Sequence, residues 1–444
     1  MRYSRTMLHA DVRPREVWAW AMFDFANSGY TTVVITALFN AYFVAVVAGN
    51  RVWATFAWTA ALSISYALIV VSAPVIGAYA DLHGAKKRML AITTAGCVVF
   101  TALLYYAQPD TLWLAIICLI ASNFFFGSGE NLIAAFLPEL SRSRAMGRVS
   151  GWGWSLGYIG GLITLGLCLI YVSWAEAQGQ TAVQFVPVTM LITAGVFALA
   201  SLPTFLLLHE RAVPSVAQGV GLQEAWLEVW KTLRNLRQFA DLRRFLLCTL
   251  FYQAGIQTVI TLTAIYASQA MKFTTQEILL LVLVVNITAA VGAGFFGYLQ
   301  DRIGHVRAIA LTLVGWIVVI LLAWAAREPP LFWAAANIVG LCLGASQSGG
   351  RALVGVLAPP SRLAEFFGLW GLAVKLSSIA GPLTYGATTW LTGGDHRSAL
   401  LFTGCYFVVG LLLLSGLCAA RGRRAALRWD RLERKRIQAI RLSG

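Results

Sequence analysis

Long apolar stretches separated by short polar connections recur from one end of the chain to the other. A bilayer core requires about 20 apolar residues per helix. By that measure the pattern predicts twelve membrane-spanning helices, at roughly 17–48, 53–80, 89–107, 111–137, 149–173, 185–208, 244–270, 276–299, 306–326, 331–358, 363–391 and 398–420. One connection, 209–243, is long and polar, and it divides the spans into two sets of six. Within it Leu222, Trp226, Leu227, Trp230, Leu233 and Leu236 share one helical face, with Lys231 and Arg234 elsewhere. That is the pattern of an amphipathic helix lying on a membrane surface, the alternative use being to dock a partner. The expected fold class is an all-α membrane protein of twelve transmembrane helices in two pseudo-symmetric six-helix bundles. Residues 1–208 form the first bundle, 209–243 the linker, 244–420 the second bundle and 421–444 a basic tail.

Composition supports this reading. The 444 residues are 59% hydrophobic and 12% charged, against roughly 45–50% and about 25% for a soluble domain. The net charge of +15 would point to nucleic acid in a soluble protein, but its distribution excludes that. Of 34 Lys and Arg, 28 fall in the tails and one alternate set of connections, while four (Arg51, Lys272, Arg327 and Arg397) fall in the other. Under the positive-inside rule both termini are expected in the cytoplasm, most simply across a bacterial inner (plasma) membrane. Arg2, Arg5, Arg13 and Arg15 precede an apolar run too long for a signal-peptide core, so the first helix is expected to be retained. The seven Cys lie inside apolar segments without paired spacing, and the five His lie in connections or tails. No metal and no cofactor are expected.

The two halves repeat. Gly77-Ala-Tyr-Ala-Asp81-Leu-His-Gly84 follows the second span, and Gly297-Tyr-Leu-Gln-Asp301-Arg-Ile-Gly304 follows the eighth, at an offset of 220 residues. The same offset aligns Gly151 with Gly371 and Gly161 with Gly381. Leu137-Pro138 and Ala358-Pro359 end the fourth and tenth spans alike. A six-helix unit has been duplicated.

The G-x-x-x-D-x-x-G-x-[K/R] signature, recurring in both halves, resembles the major facilitator superfamily. Narrower blocks are similar to its vacuole-effluxer-like branch, also called unknown major facilitators. They are the stretch from Trp20 through Asp24, Asn27 and Tyr30; Asn131 with Phe136-Leu137-Pro138-Glu139; Gln347-Ser348 with Arg351; Ala364-Glu365-Phe366-Phe367-Gly368; and Lys375 through Pro382. The resemblance implies alternating-access transport, a cavity lined by spans one, four, seven and ten, and for fungal members amino-acid efflux from the vacuole. One departure stands out: an acid usual in the family before Gly-x-Gln-Thr is here Ala254. In this architecture Asp81 and Asp301 are expected to cap helix N-termini of the opposite half, with Gly84 and Gly304 making the turns, so these four are the candidate gating residues. The other reading of each Asp is an ordinary loop ion pair.

Four ionisable residues lie deep in spans, where each costs at least about 2.5–3.5 kcal/mol and so marks a candidate site. At 1.5 Å per residue, Asp24, Glu130 and Arg351 sit roughly 10 Å in from the basic side, and Lys375 about 18 Å in. Glu130 and Arg351 each precede a terminal Pro by eight residues, so they are expected to face one another as a charge-reversed pair. The four either bind a zwitterion and a proton or form a structural ion network. Asn27, Tyr30, Asn131, Gln253, Gln257 and Gln347 complete the expected substrate or proton pathway.

The leading function is a secondary active transporter for a small polar organic solute, amino acids or short peptides. Its expected partners are that solute and the lipid bilayer, with protons as the candidate coupling ion and the chain acting as a monomer. Proton-coupled export of amphiphilic drugs or metabolites is the alternative, and a non-transporting sensor or scaffold the alternative of another class. An intramembrane enzyme would need more than Ser378 near Lys375, and no ATP-binding motif is present, so a gradient must supply the energy.

Overall fold

Apolar runs of 20 to 30 residues leave the backbone no hydrogen-bonding partner in lipid except itself, and helices are the result. The computed structural model describes residues 7–49, 51–211, 222–269, 273–393 and 395–443. The first half comprises α1 (Pro14–Val47), α2 (Ala54–His83), α3 (Lys86–Leu103), α4 (Leu112–Ala134), α5 (Met146–Ala177) and α6 (Ala182–Leu207). The linker helix is α7 (Leu222–Asn235). The second half comprises α8 (Ala240–Gln269), α9 (Thr275–Ile303), α10 (His305–Ala325), α11 (Pro329–Leu357), α12 (Leu363–Leu391) and α13 (His396–Ser415), followed by the tail helix α14 (Ala419–Ser443). Among the described residues, eleven helices are long and apolar enough to cross a membrane. The seventh expected span is α8, a 30-residue helix. Lys272 and residues 1–6, with Arg2 and Arg5, lie outside the described residues.

The halves meet along two mirrored seams. Helix α2 packs on α12, and its repeat equivalent α9 packs on α5. Gly77 lies against the Ala364 carbonyl and Gly297 against that of Gly147, an approach that a Cβ would block. Hydrogen bonds joining the halves cluster toward the basic side: Ser150 Oγ donates to the Ser348 carbonyl at 2.8 Å, and Ser155 Oγ to that of Ala290 at 2.6 Å. That side is closed.

Helix α1 contains a feature the hydropathy pattern did not show. Beyond Tyr30 it widens into π-helical turns at Thr31–Ala37 and Phe43–Val47, with Thr36 Oγ1 donating to the Thr31 carbonyl at 3.1 Å. Hydrophobicity sets how far a helix runs and says little about its winding. Such widened turns concentrate at functional sites.

Candidate functional site

Arg351 lies two turns before the end of α11 and reaches into the opposite half. Its Nη1 donates to both carboxylate oxygens of Asp24, at 3.0 and 2.7 Å. Nε donates to Ser150 Oγ at 3.1 Å and Nη2 to the Ser150 carbonyl at 2.9 Å. The guanidinium carbon sits 4.6 Å from the centre of a Trp20 ring and 5.4 Å from that of Trp154. Helical spacing builds this enclosure, because Trp20 and Asp24 are four residues apart on α1, as are Ser150 and Trp154 on α5. The side chains of Arg351 and Asp24 are only 4% and 11% exposed, so the pair is dry. The α5 backbone passes beside it at Gly153, where a Cβ would overlap the Asp24 carboxylate. Gly153→Ala should therefore cost about 1–3 kcal/mol through overpacking, read as a lowered midpoint of thermal unfolding.

The second pair is wetter. Lys375 on α12 donates to Glu130 on α4 at 3.3 Å, and the Glu130 side chain is 29% exposed. Its ammonium lies 5.5 Å from the Tyr66 ring centre and 5.8 Å from that of Phe126. Phe126 precedes Glu130 by one helical turn, as Trp20 precedes Asp24. In both pairs the first half supplies the carboxylate and the second half the cation.

This arrangement corrects one expectation. Glu130 and Arg351 do not pair: Arg351 takes Asp24, and Glu130 takes Lys375. Equal spacing from a terminal Pro fixes depth along two helices but not the direction in which the side chains leave them.

The remaining pathway residues surround these pairs. Asn27 is buried one turn from Asp24, and among the described residues its Oδ1 accepts no hydrogen bond. Tyr30 shares a hydrogen bond with Ser122 at 2.8 Å and stacks on Phe126. Asn131 is buried against Gly371, the repeat mate of Gly151. Gln253 Nε2 donates to Gln347 Oε1 at 2.9 Å, joining α8 to α11. Gln257 lies half-buried one turn beyond Gln253. Ala254, at the position of the missing acid, is buried with its carbonyl against Gly381. Among the described residues no cluster of His, Cys, Asp and Glu has the makings of a metal site.

At the closed side, two carboxylates meet helix N-termini. Asp81 accepts the Glu365 N–H, in the first turn of α12, at 2.9 Å. Asp301 accepts the N–H groups of Gly147 and Arg148, in the first turn of α5, at 2.9 and 3.2 Å, and Arg148 Nε at 2.8 Å. Each carboxylate belongs to the half opposite the helix it caps. Gly84 turns the chain after Asp81 at φ +60°, a left-handed conformation that L side chains rarely adopt, and Gly304 does so after Asp301 at φ +95°. Lys86 pairs with Glu139 and lies 3.9 Å from Asp81.

A family model described as vacuole effluxer Atg22 like matches residues 40–427. The chain belongs to this family. An MFS-type transporter of Bacillus subtilis, YxiO, is 27% identical over 403 residues, which are 89% of this chain and 93% of that one. Autophagy-related protein 22 of Cryptococcus neoformans is 26% identical over 327 residues, 67% of this chain and 58% of that one. Among solved structures, the major facilitator transporter FucP in its outward conformation superposes with a TM-score of 0.72 at 14% identity, covering 92% of this chain and 99% of that one. The Atg22-like chain thus has the major facilitator fold and is a member of a transporter family, not an enzyme.

Sequence reasoning named the four charges but missed the aromatic residues that hold the two cations. Trp20 and Phe126 carried a readable signal, an aromatic one turn before each buried acid. Tyr66, Trp154 and Ser150 carried none, because they reach the cations from other helices.

Proposed function

We propose that this Atg22-like chain is a secondary active transporter that moves a small polar organic solute, amino acids or short peptides, by alternating access with protons as the coupling ion. The observation that carries the reading is the pair of ion bridges between halves, one enclosed and one whose carboxylate, Glu130, is 29% exposed. A zwitterion matches the open bridge: its carboxylate competes for Lys375 and its ammonium for Glu130, so binding exchanges a contact between halves for contacts to the solute. The basic side is assigned to the cytoplasm of a bacterial inner membrane, which makes the described state outward-facing, and the chain acts as a monomer.

The test is uptake of a labelled amino-acid panel into proteoliposomes, with and without a pH gradient. Accumulation of one class, enhanced by the gradient, is expected; no accumulation of any zwitterion would sink the substrate class. The rings of Tyr66 and Phe126 beside Lys375 favour, as a second reading, an amphiphilic drug or metabolite. Hydrophobic competitors in the same assay separate the two.

The gating role proposed for Asp81 and Asp301 has its own test. A carboxylate at a partly buried helix N-terminus contributes up to about 2 kcal/mol, a factor of about thirty in the ratio of states. Asp81→Asn and Asp301→Asn should each shift that ratio away from the closed cytoplasmic side while leaving the helices folded. Spin labels at positions 51 and 327, on opposite halves of the far side, should then come closer together. An unchanged distance distribution would remove both residues from the gate.

A further inference from the structure

Two helices on the basic side stand outside the transport path, and both converge on Arg362, at the start of α12. Its guanidinium pairs with Glu228 of the linker helix α7 at 2.8 Å, with Glu433 of the tail helix α14 at 3.5 Å and with Glu365 at 3.3 Å. It also lies 4.9 Å from the ring centre of Trp429 in α14. The tail is seated further by Asp430, which accepts the Ser361 N–H at 3.0 Å, and by Arg421, paired with Asp241 at 2.6 Å. The linker helix rests on α2 through Ala225 and Val229, which meet Ala78 and Leu82. Glu365 is the residue whose N–H donates to Asp81.

Among the described residues, the opposite faces of these helices are exposed. In α14, Arg424, Arg428, Arg431 and Lys435 surround a shallow recess with Leu427 and Leu432, and among the described residues none of the four cations is ion-paired. In α7, Trp226, Leu227, Trp230 and Leu233 are 42–52% exposed. The apolar face expected for this helix is therefore the face turned away from the protein, while its small residues pack inward. The side chains of Leu222 and Leu236 lie outside the described residues.

We propose that α7 and α14 together form a docking surface for anionic phospholipid headgroups, coupled through Arg362 to the closed cytoplasmic gate. The occupant follows from three observations. Unpaired cations interleaved with leucines match phosphate heads over acyl chains. Exposed tryptophans on the neighbouring helix are the side chains favoured at the membrane interface. Both helices lie within a few residues of membrane spans, on the basic side. Each Lys or Arg near an anionic surface contributes about 1 kcal/mol, roughly fivefold in occupancy. Lipid on the outer face holds α7 and α14 in place, and their inner acids hold Arg362 against Glu365, beside the Asp81 contact. The coupling to a gate rests on the alternating-access reading; the lipid surface itself does not.

The experiment is backbone hydrogen exchange of the full chain in nanodiscs of phosphatidylcholine, alone or mixed with phosphatidylglycerol. Anionic lipid should slow exchange in α14 and α7 by about tenfold or more, and should also slow it across residues 360–370. Replacing Arg424, Arg428, Arg431 and Lys435 with Gln should remove both responses. Arg362→Gln should keep the response of α14 and lose that of 360–370; Arg362→Lys, which keeps the charge without the three-way fork, should lose it partly. Equal exchange in both lipids, or an undiminished response in the fourfold variant, overturns the proposal. So does equal protection by soluble polyphosphate in phosphatidylcholine discs, which would mark a general anion site. A lipid response at α14 and α7 that persists in Arg362→Gln together with that of 360–370 overturns the coupling alone. Failure of solute uptake with an intact lipid response would strike the transport reading instead.

Discussion

Arg351→Gln and Asp24→Asn are each expected to destabilise the protein by about 3–5 kcal/mol and to abolish transport, because either change leaves an unpaired charge in a dry enclosure. The Arg351 side chain is only 4% exposed, with two indole faces and the Ser150 contacts around its guanidinium. Replacing both partners removes the buried charges together, a change that is often nearly neutral. The double variant Asp24→Asn with Arg351→Gln should therefore recover thermal stability. Transport then separates the two roles. A pair that only braces the halves recovers transport together with stability, whereas a pair that must break and re-form leaves the double variant folded and inactive. We expect the second result; full transport in the double variant would falsify a functional role for both residues.

The open pair should behave in the opposite way. Lys375→Gln leaves Glu130, which water reaches because its side chain is 29% exposed, so its stability cost should stay within about 1 kcal/mol. Glu130→Gln leaves Lys375, only 11% exposed, and should cost more. Binding should suffer more. Hydrogen bonds to charged groups are worth about 1.5–3 kcal/mol each, which predicts a loss of about 10–150-fold in solute affinity. Equilibrium binding of a labelled solute to detergent-purified protein measures this directly. Wild-type affinity in both variants would mean that the open pair does not touch the solute. The contrast between the pairs is itself the prediction: one set of variants fails in stability, the other chiefly in affinity.

How far the sequence anticipates this arrangement depends on which coordinate is asked for. Position along the membrane normal is legible, because each residue advances a helix by a fixed rise and hydrophobic length fixes the ends. That is why Asp24, Glu130, Arg351 and Lys375 could be singled out and placed in depth. The caps at Asp81 and Asp301 were legible because a duplicated loop with the same Gly-Asp-Gly spacing meets an equivalent helix end twice. Azimuth was not legible. Whether Arg351 meets Asp24 or Glu130 depends on how α11 is rotated and which helix lies beside it, and no local pattern encodes that. The π-helical turns of α1 add to the difficulty, since they change the facing of every residue beyond Tyr30 relative to a regular helix.

The division of charge between the halves has a consequence for biogenesis. Asp24 is synthesised 327 residues before Arg351, and Glu130 245 residues before Lys375. At about 5–20 residues per second, the first acid enters the membrane some 15–65 s ahead of its counterion. During that interval the nascent amino-terminal bundle holds two carboxylates without counterions, each costing at least about 2.5–3.5 kcal/mol if ionised. Protonation is the cheapest relief, so the newborn bundle should carry two protons that it surrenders when the second bundle docks. A translation product truncated after α6 would keep that debt indefinitely and should be short-lived in the cell, whereas supplying α8–α13 as a separate polypeptide should rescue it.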